Sequence, residues 1–175
     1  MPAAPTDPAS AIVDTFTRAM KAAFNPNDSV QPPLGKGSTD VRFFAGDGML
    51  PASMIPEGRN CAPLLWVRVA HRYRTRARDF PAAHVADAPC SDLIGAVAIE
   101  VGVGRCSTME ANPKWSVLES EAEISLDDSW RIELALCIAS TELRSPKRAV
   151  ATDTVAPYGP EGGVIAWTGM AYVQF

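Results

Sequence analysis

The chain has 175 residues, enough for one self-sufficient domain, and its 47% hydrophobic content against 21% charge excludes a disordered protein. A formal net charge of −4 gives no general reason to bind nucleic acid, and four cysteines in this length do not make a disulfide scaffold. The opening "MPAAPTDPAS" lacks the basic start and apolar core of a secretory signal, and no apolar run nears the ~20 residues that span a bilayer. A cytosolic origin and no membrane partner are therefore expected, with residues 1–175 forming a single domain.

Asp7-Pro8 reads as an N-cap followed by proline at the first helical position, and Ile12, Phe16, Ala19, Met20 and Ala23 recur at helical spacing. This predicts a helix over 8–24, ended by Asn25-Pro26-Asn27. Residues 25–60 are rich in Pro, Gly, Asp and Ser and read as a long irregular loop, with one short strand at 40–45. The segment 63–75, "PLLWVRVAHRYRT", is a strand with Leu65, Val67, Val69 and Tyr73 on one face and Trp66, Arg68, Arg72 and Arg74 on the other. A loop leads to a second strand at 93–106. Antiparallel pairing of these two strands brings Cys61 opposite Cys106, with Cys137 expected to be buried elsewhere.

That second strand contains "AVAIEVGVGRC". One face is Val97, Ile99, Val101 and Val103; the other is Ala96, Ala98, Glu100, Gly102 and Gly104. Glycine weakens a strand interior, so the small face implies close approach of another element. Ser125-Leu126-Asp127-Asp128 resembles a capping box, and Trp130, Leu134, Cys137, Ile138 and Thr141 mark one face of a helix running to about 143. That stripe is the natural occupant of the small face. A strand at 148–156, a β-turn at Gly159-Pro160-Glu161-Gly162 and a last strand at 163–175 complete the chain. The predicted fold is α+β, an antiparallel or mixed sheet of about four strands with two helices on one face.

Chemistry is sparse in this pattern. "GVGRCS" lacks the third glycine of a dinucleotide fingerprint and ends a strand rather than opening a helix. Gly35-Lys36-Gly37-Ser38 has the wrong spacing for a phosphate-binding loop. The cysteines are scattered and His71 and His84 lie far apart, so no zinc set or nucleophile–base pair stands out. Glu100 reads as the partner of Arg68 or Arg72. No enzymatic activity, cofactor or metal is expected.

Charge is uneven along the chain. Arg68, Arg72, Arg74, Arg76 and Arg78 crowd one segment, while Glu119, Glu121, Glu123, Asp127 and Asp128 fall within another that has no base. The arginines all have even numbers, so an uninterrupted strand sets them on one face. They are a solvated edge that discourages aggregation, a docking face for acidic groups, or a contact to DNA. Glu119, Glu121 and Glu123 are the acidic candidates for such a seam.

"CAPLLWVRV", "AVAIEVGVGRC", a helix ending near "ALCIA" and "GPEGGVIAWTGMAYVQF" occur in an order that resembles head-to-tail connection proteins of tailed actinobacterial phages. The element order is similar to that of the tail terminator of phage lambda. The resemblance covers about residues 60–175. It implies a structural virion protein of the tail or neck, assembled in the host cytoplasm, that forms a ring, hexameric in that family. Such a ring caps the head-proximal end of the tail tube, stops its polymerisation and meets a stopper or connector on the head. Its implied partners are further copies of itself, the major tail tube protein and the head connector. Genome DNA would pass through the lumen without specific binding. An adaptor or stopper ring of the same neck, or a small host-interaction protein, stands as the alternative.

Overall fold

The computed structural model describes residues 7–46, 62–84, 87 and 89–175. Helix α1 (Pro8–Ala23) begins where expected: the Asp7 carboxylate accepts the Ala9 N–H at 2.9 Å, and Pro8 occupies the first turn. Its inward face carries Ile12, Phe16 and Met20, all fully buried. Each such side chain contributes about 1.5–3 kcal/mol by leaving water.

Among the described residues six strands form one mixed sheet: β1 (Val41–Phe43), β2 (Leu64–Thr75), β3 (Ile94–Cys106), β4 (Val150–Thr152), β5 (Ala156–Glu161) and β6 (Val164–Gln174). The spatial order is β1-β2-β3-β6-β4, with β5 also paired to β6. The expectation of about four strands is corrected upward. The short β1 joins parallel to β2, and the region read as one strand at 148–156 divides into β4 and the start of β5. The predicted turn at 159–162 also moves. β5 runs to Glu161, which pairs with Val164, and Gly162 and Gly163 make the hairpin loop with φ of 57° and 78°. A two-residue type I′ turn needs positive φ at both central positions, which glycine adopts without steric cost.

Helix α2 (Trp115–Leu143) starts ten residues before the predicted cap. Ser125, Asp127 and Asp128 are mid-helix residues, and Lys114 occupies the N-cap position without a side-chain bond. Both helices cover one face of the sheet. Val97, Ile99, Val101 and Val103 of β3 share a single core with Leu65, Val67, Ala171 and Val173 of the flanking strands. Ile12, Phe16 and Met20 of α1 join it with Ile132, Leu136 and Ala139 of α2.

The small face of β3 therefore lies on the side away from the helices, contrary to expectation. Trp66 of β2 is paired with Gly102, and its indole occupies the space that a Cβ at 102 would need. The close approach of α2 is made instead at Gly169 of β6. A Cβ there would fall 2.7 Å from Leu136 and 2.9 Å from Ile132. The inward face of α2 also differs from the expected stripe: Leu134 packs against the core, but Trp130, Cys137, Ile138 and Thr141 are exposed, while Asp128, Arg131, Ile132, Ala135, Leu136 and Ala139 are buried. No helix among the described residues is long and apolar enough to cross a membrane.

Candidate interface surfaces

The arginine-rich segment is divided by a β-bulge. Val69 pairs with Ile99 but His71 pairs with Ala98, so Ala70 is extra and the alternation inverts beyond it. Arg68 precedes the bulge and stays on the small face, where its Nη2 donates to Glu100 at 2.8 Å. Trp66 Nε1 donates to the other Glu100 oxygen at 2.9 Å, so the carboxylate sits between an indole and a guanidinium. This is the ion pair expected for Glu100.

Arg72 and Arg74 follow the bulge and are carried by the opposite face, opposite Val97 and Gly95. Arg72 forks onto both oxygens of Asp7, the residue that caps α1. That bond, with the Ala9 N–H, holds the Asp7 carboxyl below its ordinary range. Arg74 donates to the carbonyls of Cys90 and Leu93, both at 3.3 Å. Arg76 and Arg78 lie beyond the strand on an exposed turn. The single five-arginine face is thus replaced by three residues with internal partners and two that reach solvent.

His71, Tyr73 and Tyr172 cluster where the bulge returns odd-numbered side chains to the small face, with ring centroids 5.5–6.5 Å apart. The Tyr73 hydroxyl is buried without a hydrogen-bond partner among the described residues. Burial, with Tyr172 beside it, pushes its pKa up to about 12.

The acids of α2 also divide. Arg105, at the end of β3, extends the helix-side row of Val97, Ile99, Val101 and Val103. Asp128 receives it bidentately at 2.5 and 2.8 Å, with both side chains at least nine-tenths buried. Its remaining donors hold the carbonyls of Gly35 and Lys36. One turn on, Arg131 pairs with Asp127 at 2.7 Å and donates to the carbonyls of Ala23 and Gln31. Asp127 additionally accepts the Leu34 N–H at 3.0 Å. These two arginine–aspartate pairs clamp residues 31–36 of the long loop against α2. Burial pushes the Asp128 carboxyl above the ordinary carboxylate range, and Arg105 opposes that shift without cancelling it.

Glu121 accepts from Ser107 Oγ at 3.1 Å and from the Thr108 N–H at 2.7 Å, tying α2 to the segment after β3. Glu119 and Glu123 are exposed. Arg105 and Arg131 are thus organising residues that composition and strand alternation alone do not mark. The signal lies in the partners they require: an arginine in register with a valine row requires a buried acid, and Asp127 and Arg131 stand at i,i+4.

The predicted Cys61–Cys106 proximity involves Cys61, which lies outside the described residues. Cys106 itself is disulfide-bonded, whereas Cys90 and Cys137 are free. Cys137 was expected to be buried, but it sits on the outward side of α2. No group of three or more metal-capable side chains occurs among the described residues. No protein-family model matches this chain, and no curated protein sequence matches it.

Proposed function

We propose that this chain is a structural subunit of a phage tail, a terminator that forms a ring on the head-proximal end of the tail tube and joins tail to head. The observation that carries this reading is the order of elements. An N-terminal helix, a long antiparallel hairpin (β2–β3), a second helix and a closing ribbon (β5–β6) follow one another as the resembled family implies. The phage-like motifs fall on those elements: "WVRV" lies in β2, "EVGVGRC" ends β3, and "GPEGG" leads through the final turn. The ionisable groups of the interior support the same reading, because Arg68, Arg105 and Arg131 each hold a carboxylate or a backbone carbonyl that fixes the fold. A ring subunit requires rigid, distinct surfaces and a heterologous side contact that closes. Its partners on this reading are other copies of the chain, the tail tube protein and the head connector, with DNA passing through without specific contacts.

The test is negative-stain microscopy of particles produced from a genome lacking this gene. Overlong tails without heads are the expected result. Tails of normal length beside full heads would assign the chain to another neck ring, and unchanged particles would end the structural reading altogether.

A further inference from the structure

We infer that the outward face of α2 is a docking surface for a cationic amphipathic helix. The inference is independent of the role in a tail. It begins from an anomaly of α2, which is apolar on two sides. Its inner side supplies Ile132, Ala135, Leu136 and Ala139 to the core. Its outer side carries a second row, with Leu126 71%, Trp130 39% and Ile138 37% exposed, and Leu134 between them half-buried and packed in part against the core. These residues recur every four positions, so they form one ridge about 18 Å long. A surface helix of a monomeric domain normally turns a charged face outward.

The loop fastened to α2 carries exposed apolar side chains of its own. Val30 is 90% and Leu34 65% exposed, although the loop is held firmly in place. Arg131 binds the Gln31 carbonyl and Asp127 binds the Leu34 N–H, so two buried charges are used to hold apolar side chains toward water.

Charge identifies the occupant. Glu123 and Glu133 are exposed, and at 100° per residue Glu123 lies about 60° to one side of Leu126 and Glu133 about 60° to the other side of Trp130. The only base in all 29 residues of α2 is Arg131, which is buried. A second copy presenting this same face would set glutamate against glutamate. A helix with an apolar stripe flanked by lysine or arginine satisfies both the ridge and its rims.

The probe is a fluorescein-labelled 18-residue amphipathic leucine–lysine helix, titrated with the full chain and followed by anisotropy. Binding that weakens with salt is expected. It should weaken at least tenfold on replacing Leu126→Gln with Ile138→Gln, and again for Glu123→Lys with Glu133→Lys. Circular dichroism checks that each variant is folded. All of the changed side chains are exposed, and Trp130→Gln serves if one pair fails to fold. Three results overturn the proposal. One is no binding. A second is equal binding by the Leu126/Ile138 variant or of a scrambled peptide. The third is self-association of the wild-type chain that the Leu126/Ile138 variant abolishes, which would make a second copy the occupant.

Discussion

At position 102 a side chain and an indole compete for the same space, and the sequence resolves the conflict with glycine. Any Cβ there meets the Trp66 ring, whose Nε1 is held in place by Glu100. Gly102→Leu should therefore destabilise the protein by ~1–3 kcal/mol in denaturant titration. Shrinking the indole by Trp66→Leu in the same chain should recover part of that loss, because the two substitutions share one volume. A neutral Gly102→Leu would mean that the indole moves freely. The small face was legible in the sequence but its occupant was not. Alternation shows that space is needed, whereas a neighbouring-strand tryptophan and a crossing helix demand it equally. A second prediction concerns Asp128. Burial raises its pKa above the unfolded value of 3.8, so its ionised form costs stability at neutral pH. That cost is relieved as pH falls through the raised value and is gone below 3.8. Thermal unfolding of the wild type and of Asp128→Asn should thus show the wild type gaining relative to the variant between neutral pH and about pH 4. A relative loss would place the folded carboxyl below 3.8, with Arg105 dominating its environment.

Helix α1 and strands β2, β3 and β6 matched their predicted spans within two residues, because each carries one strong periodicity and a clear terminal signal. Elsewhere two signals compete in the same residues. Ser125-Leu126-Asp127-Asp128 has the chemistry of a helix start, but Asp127 and Asp128 serve as anchors for Arg131 and Arg105 in mid-helix. The true start, after Lys114, has no capping side chain to announce it. The two apolar rows of α2 are equivalent in sequence, and only the packing against Gly169 shows which is inside. The bulge at Ala70 leaves no compositional trace, yet it sends Arg72 to the cap of α1 instead of to the small face. The loop that composition marked as irregular is, over 31–36, fastened by buried guanidinium groups. Arg131→Leu removes one fastening and leaves Asp127 without its ion pair. Losing one partner of a buried pair typically costs about 3–5 kcal/mol. Limited proteolysis should then cut within residues 25–40 of the variant much faster than within the wild type. Equal cutting rates would show that Arg105 alone holds the loop.

Taken as a whole, the molecule has few basic groups left to offer a partner from the arginine segment. Arg68, Arg72 and Arg74 are engaged internally, and reversing any of them would disturb β2, the cap of α1 or the turn before β3. Arg76 and Arg78 differ. They stand on the exposed turn beyond β2, and the Arg78 guanidinium makes only a 3.6 Å approach to Asp79 while 77% exposed. The acids proposed for a seam within the ring are similarly reduced, since Glu121, Asp127 and Asp128 are occupied and only Glu119 and Glu123 remain open. On the tail-terminator reading, the turn therefore meets acidic groups of an adjoining ring rather than this face of the next subunit. Each exposed pair contributes only ~0.2–1 kcal/mol, but a ring repeats the contact in every copy. Arg76→Glu with Arg78→Glu should leave thermal stability within about 0.5 kcal/mol of wild type, because neither side chain holds the fold. The same double reversal, introduced into the producing genome, should sharply lower the yield of heads joined to tails while tails keep normal length. Raised ionic strength should mimic it in part when purified heads and tails are mixed, as exposed charges are screened over about 10 Å at 0.1 M salt. Undiminished joining by the variant particles would leave Arg76 and Arg78 as a solvated turn that keeps the sheet edge soluble.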